Sequence, residues 1–289
     1  MPERSLFYNC GMDLVEIFRK FKTCALLTVA LFGTSSLFAA EVVRPVSLPA
    51  SSVTFGGMAS LRDDVYSLDA RLSTEIAFCK CFSVFSDISY RFFSYQWETK
   101  LSNQLHEIVN LQVNGLNESY LGFKLFPTDY FGVSANFRFS PGDGDKNDRF
   151  ERLAVEPMAV YPFSEYLNLG ASLGYYTFLE KDNFEPGDEI GGRVSLEWKP
   201  FYALRVRRGL RISYVFLLRH RLEESRNLNM RKEFQKMDDA YWGFRMRGEL
   251  SYSFAKLPVG IGAAYEMNRG TLFGLETGHR VEFFLQHAF

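Results

Sequence analysis

Residues 240–254 read AYWGFRMRGELSYSF, and their alternation decides how the rest of the chain is parsed. Ala240, Trp242, Phe244, Met246, Gly248, Leu250, Tyr252 and Phe254 occupy even positions, whereas Tyr241, Arg245, Arg247, Glu249, Ser251 and Ser253 occupy odd ones. Period 2 is the spacing of a strand whose two faces meet different surroundings. Residues 209–219 repeat it, with Leu210, Ile212, Tyr214, Phe216 and Leu218 on one face and Arg211 and Ser213 on the other. In 166–178, Leu167, Leu169, Ala171, Leu173 and Tyr175 oppose Asn168, Gly170, Ser172 and Gly174.

Carried along the chain, the same rule predicts about twelve strands, within a range of roughly ten to fourteen. They fall near 51–61, 66–77, 82–95, 116–126, 130–140, 151–161, 166–178, 190–199, 203–219, 240–254, 258–268 and 278–289. The connections alternate in length. Short ones lie at 79–81, 127–129, 162–165, 200–202 and 256–258, and long ones at 96–115, 141–150, 179–189, 220–239 and 269–277. Such alternation predicts an all-β fold, an antiparallel up-and-down transmembrane β-barrel with short periplasmic turns and long extracellular loops.

Composition agrees with this reading. The 289 residues are 47% hydrophobic and 16% aromatic, with 29 Phe and 15 Tyr, yet mean hydropathy is −0.12. Membrane helices need about 20 consecutive apolar residues each, and one segment near the N-terminus comes close. So high an aromatic content also excludes intrinsic disorder. With 33 Lys+Arg against 34 Asp+Glu and a net charge of −1, no global basic field points to nucleic acid.

The N-terminal segment reads as an export leader. Arg19, Lys20 and Lys22 precede the apolar run CALLTVALF at 24–32, and the small residues of 33–40 offer cleavage after Ala39 or Ala40. Met12 is an alternative start. The expected organisation is a signal peptide over 1–40, a short periplasmic segment over 41–50 and the barrel over 51–289. Cys10 and Cys24 lie in the leader, which leaves Cys79 and Cys81 in the mature chain. They read as turn residues, with a strained local disulfide as the alternative, and a C-K-C pair lacks the second half of a zinc site.

Period 2 alone does not separate a membrane barrel from a soluble sandwich or lipocalin-like barrel, whose apolar faces point inward. Charge does. The polar faces carry Arg71, Glu75, Asp87, Arg91, Glu118, Lys124, Arg138, Arg152, Glu156, Arg193, Glu197, Arg211, Arg245, Arg247, Glu249, Glu266, Arg280 and Glu282. Unpaired in a dry core, each would cost several kcal/mol, whereas a wet lumen keeps them paired or hydrated. Phe82, Tyr130, Phe131, Tyr161, Phe163, Trp198, Phe201, Tyr202, Trp242 and Phe254 gather toward strand ends, where membrane barrels carry aromatic girdles.

The final strand ends Val281-Glu282-Phe283-Phe284-Leu285-Gln286-His287-Ala288-Phe289. It resembles the terminal strand of Gram-negative-type, porin-like outer-membrane β-barrel proteins. That resemblance implies an assembly signal formed by Val281, Phe283, Leu285 and Phe289, and partners in the outer-membrane lipid bilayer and the barrel-assembly machinery. His287 departs from the apolar residue usual at that place.

Enzyme chemistry finds little support. None of His106, His220, His279 or His287 is followed by the serine of a phospholipase-like pair, and Asp63-Asp64 and Asp238-Asp239 read as solvated loop carboxylates. Asp143, Asp145 and Asn147 have calcium-loop spacing but lack the glycine and distal glutamate of such a loop. No metal, cofactor or catalytic residue is therefore expected. A basic ladder is the more informative signal: Arg193, Arg205, Arg207, Arg211, Arg245 and Arg247, with Lys199, outnumber Glu197 and Glu249 on neighbouring strands. Beside water it would attract anions, unless Glu75, Asp87, Glu118, Glu156, Glu249 and Glu282 pair with it across the lumen. The leading expectation is a channel for small, preferably anionic solutes. A closed-barrel structural or adhesive surface protein acting through its loops is the alternative, and a soluble periplasmic β-protein a third.

Overall fold

Alternation at period 2 becomes a single closed sheet in the computed structural model, which describes residues 44–62, 65–98, 107–109, 115–116, 119–139, 151–179, 184–185, 187–201, 209–222, 226–227, 242–270 and 277–289. Twelve antiparallel strands form it: β1 (Ser52–Arg62), β2 (Val65–Cys79), β3 (Phe82–Glu98), β4 (Ser119–Leu125), β5 (Phe131–Phe139), β6 (Arg152–Ser164), β7 (Leu167–Phe178), β8 (Glu189–Trp198), β9 (Leu210–Arg221), β10 (Trp242–Ser253), β11 (Val259–Gly270) and β12 (Gly278–Ala288). Each pairs with its neighbours in the chain, and β12 returns to β1 in a continuous register from Ser52↔Ala288 to Arg62↔Gly278. Pairing of the last strand with the first closes the sheet on itself, as a spanning structure in hydrocarbon requires.

Twelve is the strand number predicted from the alternation. The described part of β9 begins at Leu210, so residues 203–208 of the predicted strand lie outside the described residues. β3 runs three residues past its predicted end. Gln96 pairs with Val65 of β2 and also with Val109, so ladder hydrogen bonds continue into the region read as a loop. Bulges interrupt β2–β3 after Leu68 and near the Cys79 turn; each adds local twist. No disulfide joins Cys79 and Cys81.

The two faces settle the sign of the pattern. Outward positions hold Leu173, 70% exposed, Phe283, 68% exposed, and Leu121, Val155, Val194, Leu250, Ile261 and Leu285, all exposed. Inward positions hold Arg152, 1% exposed, and Glu266 and Glu282, both fully buried. A soluble barrel puts these classes the other way round, so the soluble β-protein expectation is not met. At the end carrying the short turns, the exposed Tyr130, Phe131, Tyr161, Phe163, Tyr166 and Trp198 ring the wall, with Tyr130 and Tyr161 at 6.2 Å between centroids. At the opposite, loop-bearing end Tyr66, Tyr175, Trp242 and Tyr265 are exposed. Amphipathic rings at two levels with aliphatic side chains between them are the surface of a membrane-spanning barrel.

Candidate functional site: the lumen

Inward side chains at mid-height form an ionic belt. Arg71 of β2 is bidentate to Asp87 of β3, at 2.8 Å from Nε and 2.7 Å from Nη2. Its remaining Nη1 donates to Glu282 of β12 at 2.8 Å. The other oxygen of Glu282 accepts from Arg247 of β10 at 2.6 Å, and Arg247 also lies 3.3 Å from Glu249. Glu249 and Glu197 then flank Arg211 of β9 at 3.6 and 3.7 Å. On the facing wall Lys124 meets Glu75 at 2.9 Å, and Arg193 pairs with Glu156. Arg44 adds a second guanidinium to Asp87, which brings the belt to six cations against six carboxylates. Charges this buried are tolerated because each has an opposite partner and further hydrogen bonds, such as Ser83 Oγ donating to Glu75 at 2.7 Å.

A second tier lies toward the loop end, and there arginine prevails. Arg138, Arg152, Arg219, Arg221, Arg245 and Arg280 face the lumen, all but Arg280 nearly fully buried, and among the described residues Asp69, which pairs with Arg91 at 2.9 Å, Glu189 and Glu266 are the carboxylates of the tier. Arg280 and Arg245 approach one oxygen of Glu266 at 3.1 and 3.5 Å, and Arg219 lies 3.6 Å from Glu189. Tyr176 organises the centre of the tier. Its ring carries the guanidinium of Arg219 at 4.2 Å and that of Arg152 at 4.9 Å, while Tyr120 takes the other side of Arg152 at 5.5 Å. Aromatic faces supply negative potential without a formal charge, which helps to hold arginines close together. The hydroxyl of Tyr176 donates to Glu156 at 3.2 Å, which links the two tiers.

The lumen also contains chain from before the first strand. Residues 44–50, read from the sequence as part of a periplasmic segment, lie against the inner wall near the turn end. Polar groups of that wall accept and donate to their backbone. The amide of Val46 donates to Ser195 Oγ at 3.0 Å, the carbonyl of Arg44 accepts from Arg193 at 3.3 Å, and the amide of Ala50 donates to Glu75 at 3.3 Å. Between this segment and the belt is a cavity of about 450 Å3.

Of the residues singled out in the sequence, Arg193, Arg211, Arg245 and Arg247 face inward, as do Glu75, Asp87, Glu156, Glu249 and Glu282. Arg205, Arg207 and Glu118 lie outside the described residues, as do the calcium-like stretch at 143–147 and the leader over 1–40. At mid-height the ladder is paired with the carboxylates of the belt, and among the described residues the larger group of inward arginines lies in the loop-end tier. Arg219 and Arg221 were not singled out, although they continue the odd positions of Arg211 and Ser213. Arg44 carries no sequence signal of this place, because nothing in the seven-residue run 44–50, with Pro45 and Pro49, marks entry into a lumen. Val281, Phe283 and Leu285 point outward from β12, and Phe289 follows it with its amide 3.2 Å from Ser51 O.

The closed barrel is a fold this chain shares with solved outer-membrane proteins. An outer-membrane channel from Pseudomonas putida F1 is similar in structure, with a TM-score of 0.59 at 10% identity over 86% of this chain and 100% of that one. The NanC porin is similar with a TM-score of 0.54 at 9% identity, over 82% of this chain and 100% of that one. No protein-family model matches the chain, and no curated protein matches it by sequence.

Proposed function

We propose that this protein is an outer-membrane channel that passes small solutes and prefers anions, exported by its leader, with neither catalysis nor a cofactor in its action. The observation that carries the reading is the number of arginines facing the lumen in the loop-end tier: among the described residues Arg138, Arg152, Arg219, Arg221, Arg245 and Arg280 stand there with the carboxylates Asp69, Glu189 and Glu266. A passage lined by many cationic side chains raises the local concentration of anions. Below it the balanced belt supplies hydrogen-bonding groups of both signs, so an anion drawn into the mouth does not meet a uniformly binding surface. In this reading Val281, Phe283, Leu285 and Phe289 present the strand that the barrel-assembly machinery takes up.

Planar bilayers containing the purified protein test the proposal. Discrete current steps are expected, with a reversal potential under a KCl gradient of the sign for anion preference. Cation preference would refute the selectivity, and absence of current the channel. Absence of current would favour a closed barrel that acts through its loops, a reading supported by the passage of 44–50 through the lumen.

A further inference from the structure

We infer that residues 44–50 form the constriction of this channel and that Arg44 sets the charge a solute meets there; the inference rests on the channel reading above. The segment leaves β1 at Ser52 and reaches the wall at β7 and β8, six to seven strands around a twelve-strand barrel, so it crosses close to a diameter. Its far end is seated. Val46 packs with Phe126, Met158 and Val160 in an apolar cluster inside the lumen. Gly170 of β7 makes room for it: a Cβ at that position would stand 2.7 Å from Val46 Cβ and 2.8 Å from Val46 O. The near end is held by Ala50 on Glu75 and by Lys124, which donates to Ser47 at 3.2 Å.

Just before the far anchor in the chain, Arg44 reaches back across the lumen to Asp87 at 2.6 Å and to Ser73. Its side chain is 30% exposed, against 4% for Arg71 on the same carboxylate. Both guanidiniums on Asp87 line the cavity, and Arg44 is the more exposed of the two. None of residues 44–50 joins the ladder, which begins at Ser52 on both sides of β1. Removing the segment leaves every strand pairing in place, and a constriction attached in this way can be deleted from a barrel that still closes.

Single-channel recordings on three variants test the inference. Deletion of 44–50 is expected to raise conductance several-fold, and Gly170→Leu, whose side chain takes the place of Val46, should raise it in the same direction. Val46→Cys with Ser195→Cys, in a Cys79→Ser/Cys81→Ser background, should form a disulfide that holds the low conductance until it is reduced. Arg44→Glu should lower the anion-to-cation permeability ratio at least twofold. If the disulfide forms but the deletion and Gly170→Leu conduct like the parent, the constriction is refuted while the channel stands. A disulfide that fails to form also refutes it, because the segment is then not where the argument needs it. If neither the parent nor the deletion conducts, the channel reading falls and takes the constriction with it.

Discussion

Arg71 and Glu282 belong to strands that do not pair, β2 and β12, yet their side chains meet at 2.8 Å over Gly56 of the intervening β1. A Cβ at position 56 would come within 2.8 Å of Glu282 Oε1, so the bridge depends on the glycine beneath it. The pair spans the seam at which the first strand closes on the last. Glu282→Leu is expected to destabilise the barrel by about 3–5 kcal/mol, because Arg71 and Arg247 lose a shared buried counter-charge. Arg71→Met/Glu282→Leu should recover a large part of that loss, since Asp87 keeps Arg44 and Arg247 keeps Glu249. Urea midpoints of protein folded in lipid vesicles read both; equal midpoints for single and double variants would show that the pair is not coupled.

Tyr176 is predicted to have two separable roles. Tyr176→Phe removes the hydroxyl donated to Glu156 and should cost about 0.5–1.5 kcal/mol. Tyr176→Leu also takes away the ring that carries Arg152 and Arg219, so repulsion between those guanidiniums should bring a further loss of about 1–2 kcal/mol. Thermal unfolding followed by the gel mobility of folded and unfolded forms distinguishes the two. Equal losses would assign the whole effect to the hydroxyl.

Anion preference should depend on the loop-end tier rather than on the belt. Arg152→Gln with Arg219→Gln is expected to lower the anion-to-cation permeability ratio by about two- to fivefold, since it removes two positive charges from the wall and the local potential follows the charge that lines the lumen. Arg247→Gln with Glu282→Gln removes one charge of each sign and should leave the ratio within about 1.5-fold of the parent. Reversal potentials under a salt gradient measure both, and the opposite ranking would place selectivity in the belt.

Leu173 stands 70% exposed on the outer wall of β7, next to Ser172, whose hydroxyl points inward to Glu156. Leu173→Arg is predicted to cost about 2–4 kcal/mol, as a cation facing hydrocarbon near the middle of the bilayer does. Leu173→Met should be close to neutral. Tryptophan fluorescence during folding into vesicles reports both. A neutral arginine would mean that this wall faces water.

Strand number and the facing of almost every charged residue were legible in the sequence because both follow from one geometric rule: a strand turns each successive side chain to the other side. Arg211, Arg245 and Arg247 could be placed inward by parity alone. Parity does not say who stands opposite whom around a closed circle, so the neutralisation of the ladder by Glu282 and Glu197 had to come from the structure. The passage of Arg44 and Val46 through the lumen was illegible for a different reason. It is fixed by Gly170 and Ser195, well over a hundred residues away, and no local spacing encodes such a contact. The overrun of β3 lay hidden in the same way, since Gln96 is held by its partners Val65 and Val109 rather than by its own composition.

That overrun makes the mouth lopsided. Seventeen residues in β3 extend over about 56 Å at ~3.3 Å each, or about 40 Å of height at a tilt near 45°, against an apolar band about 25 Å tall. β2 and β3 meet at the Cys79 turn, so the surplus rises at the loop end as a stiff parapet on their side. Approach from bulk water over that flank is thus screened by hydrogen-bonded backbone, and a solute that enters there first meets main chain and not loop.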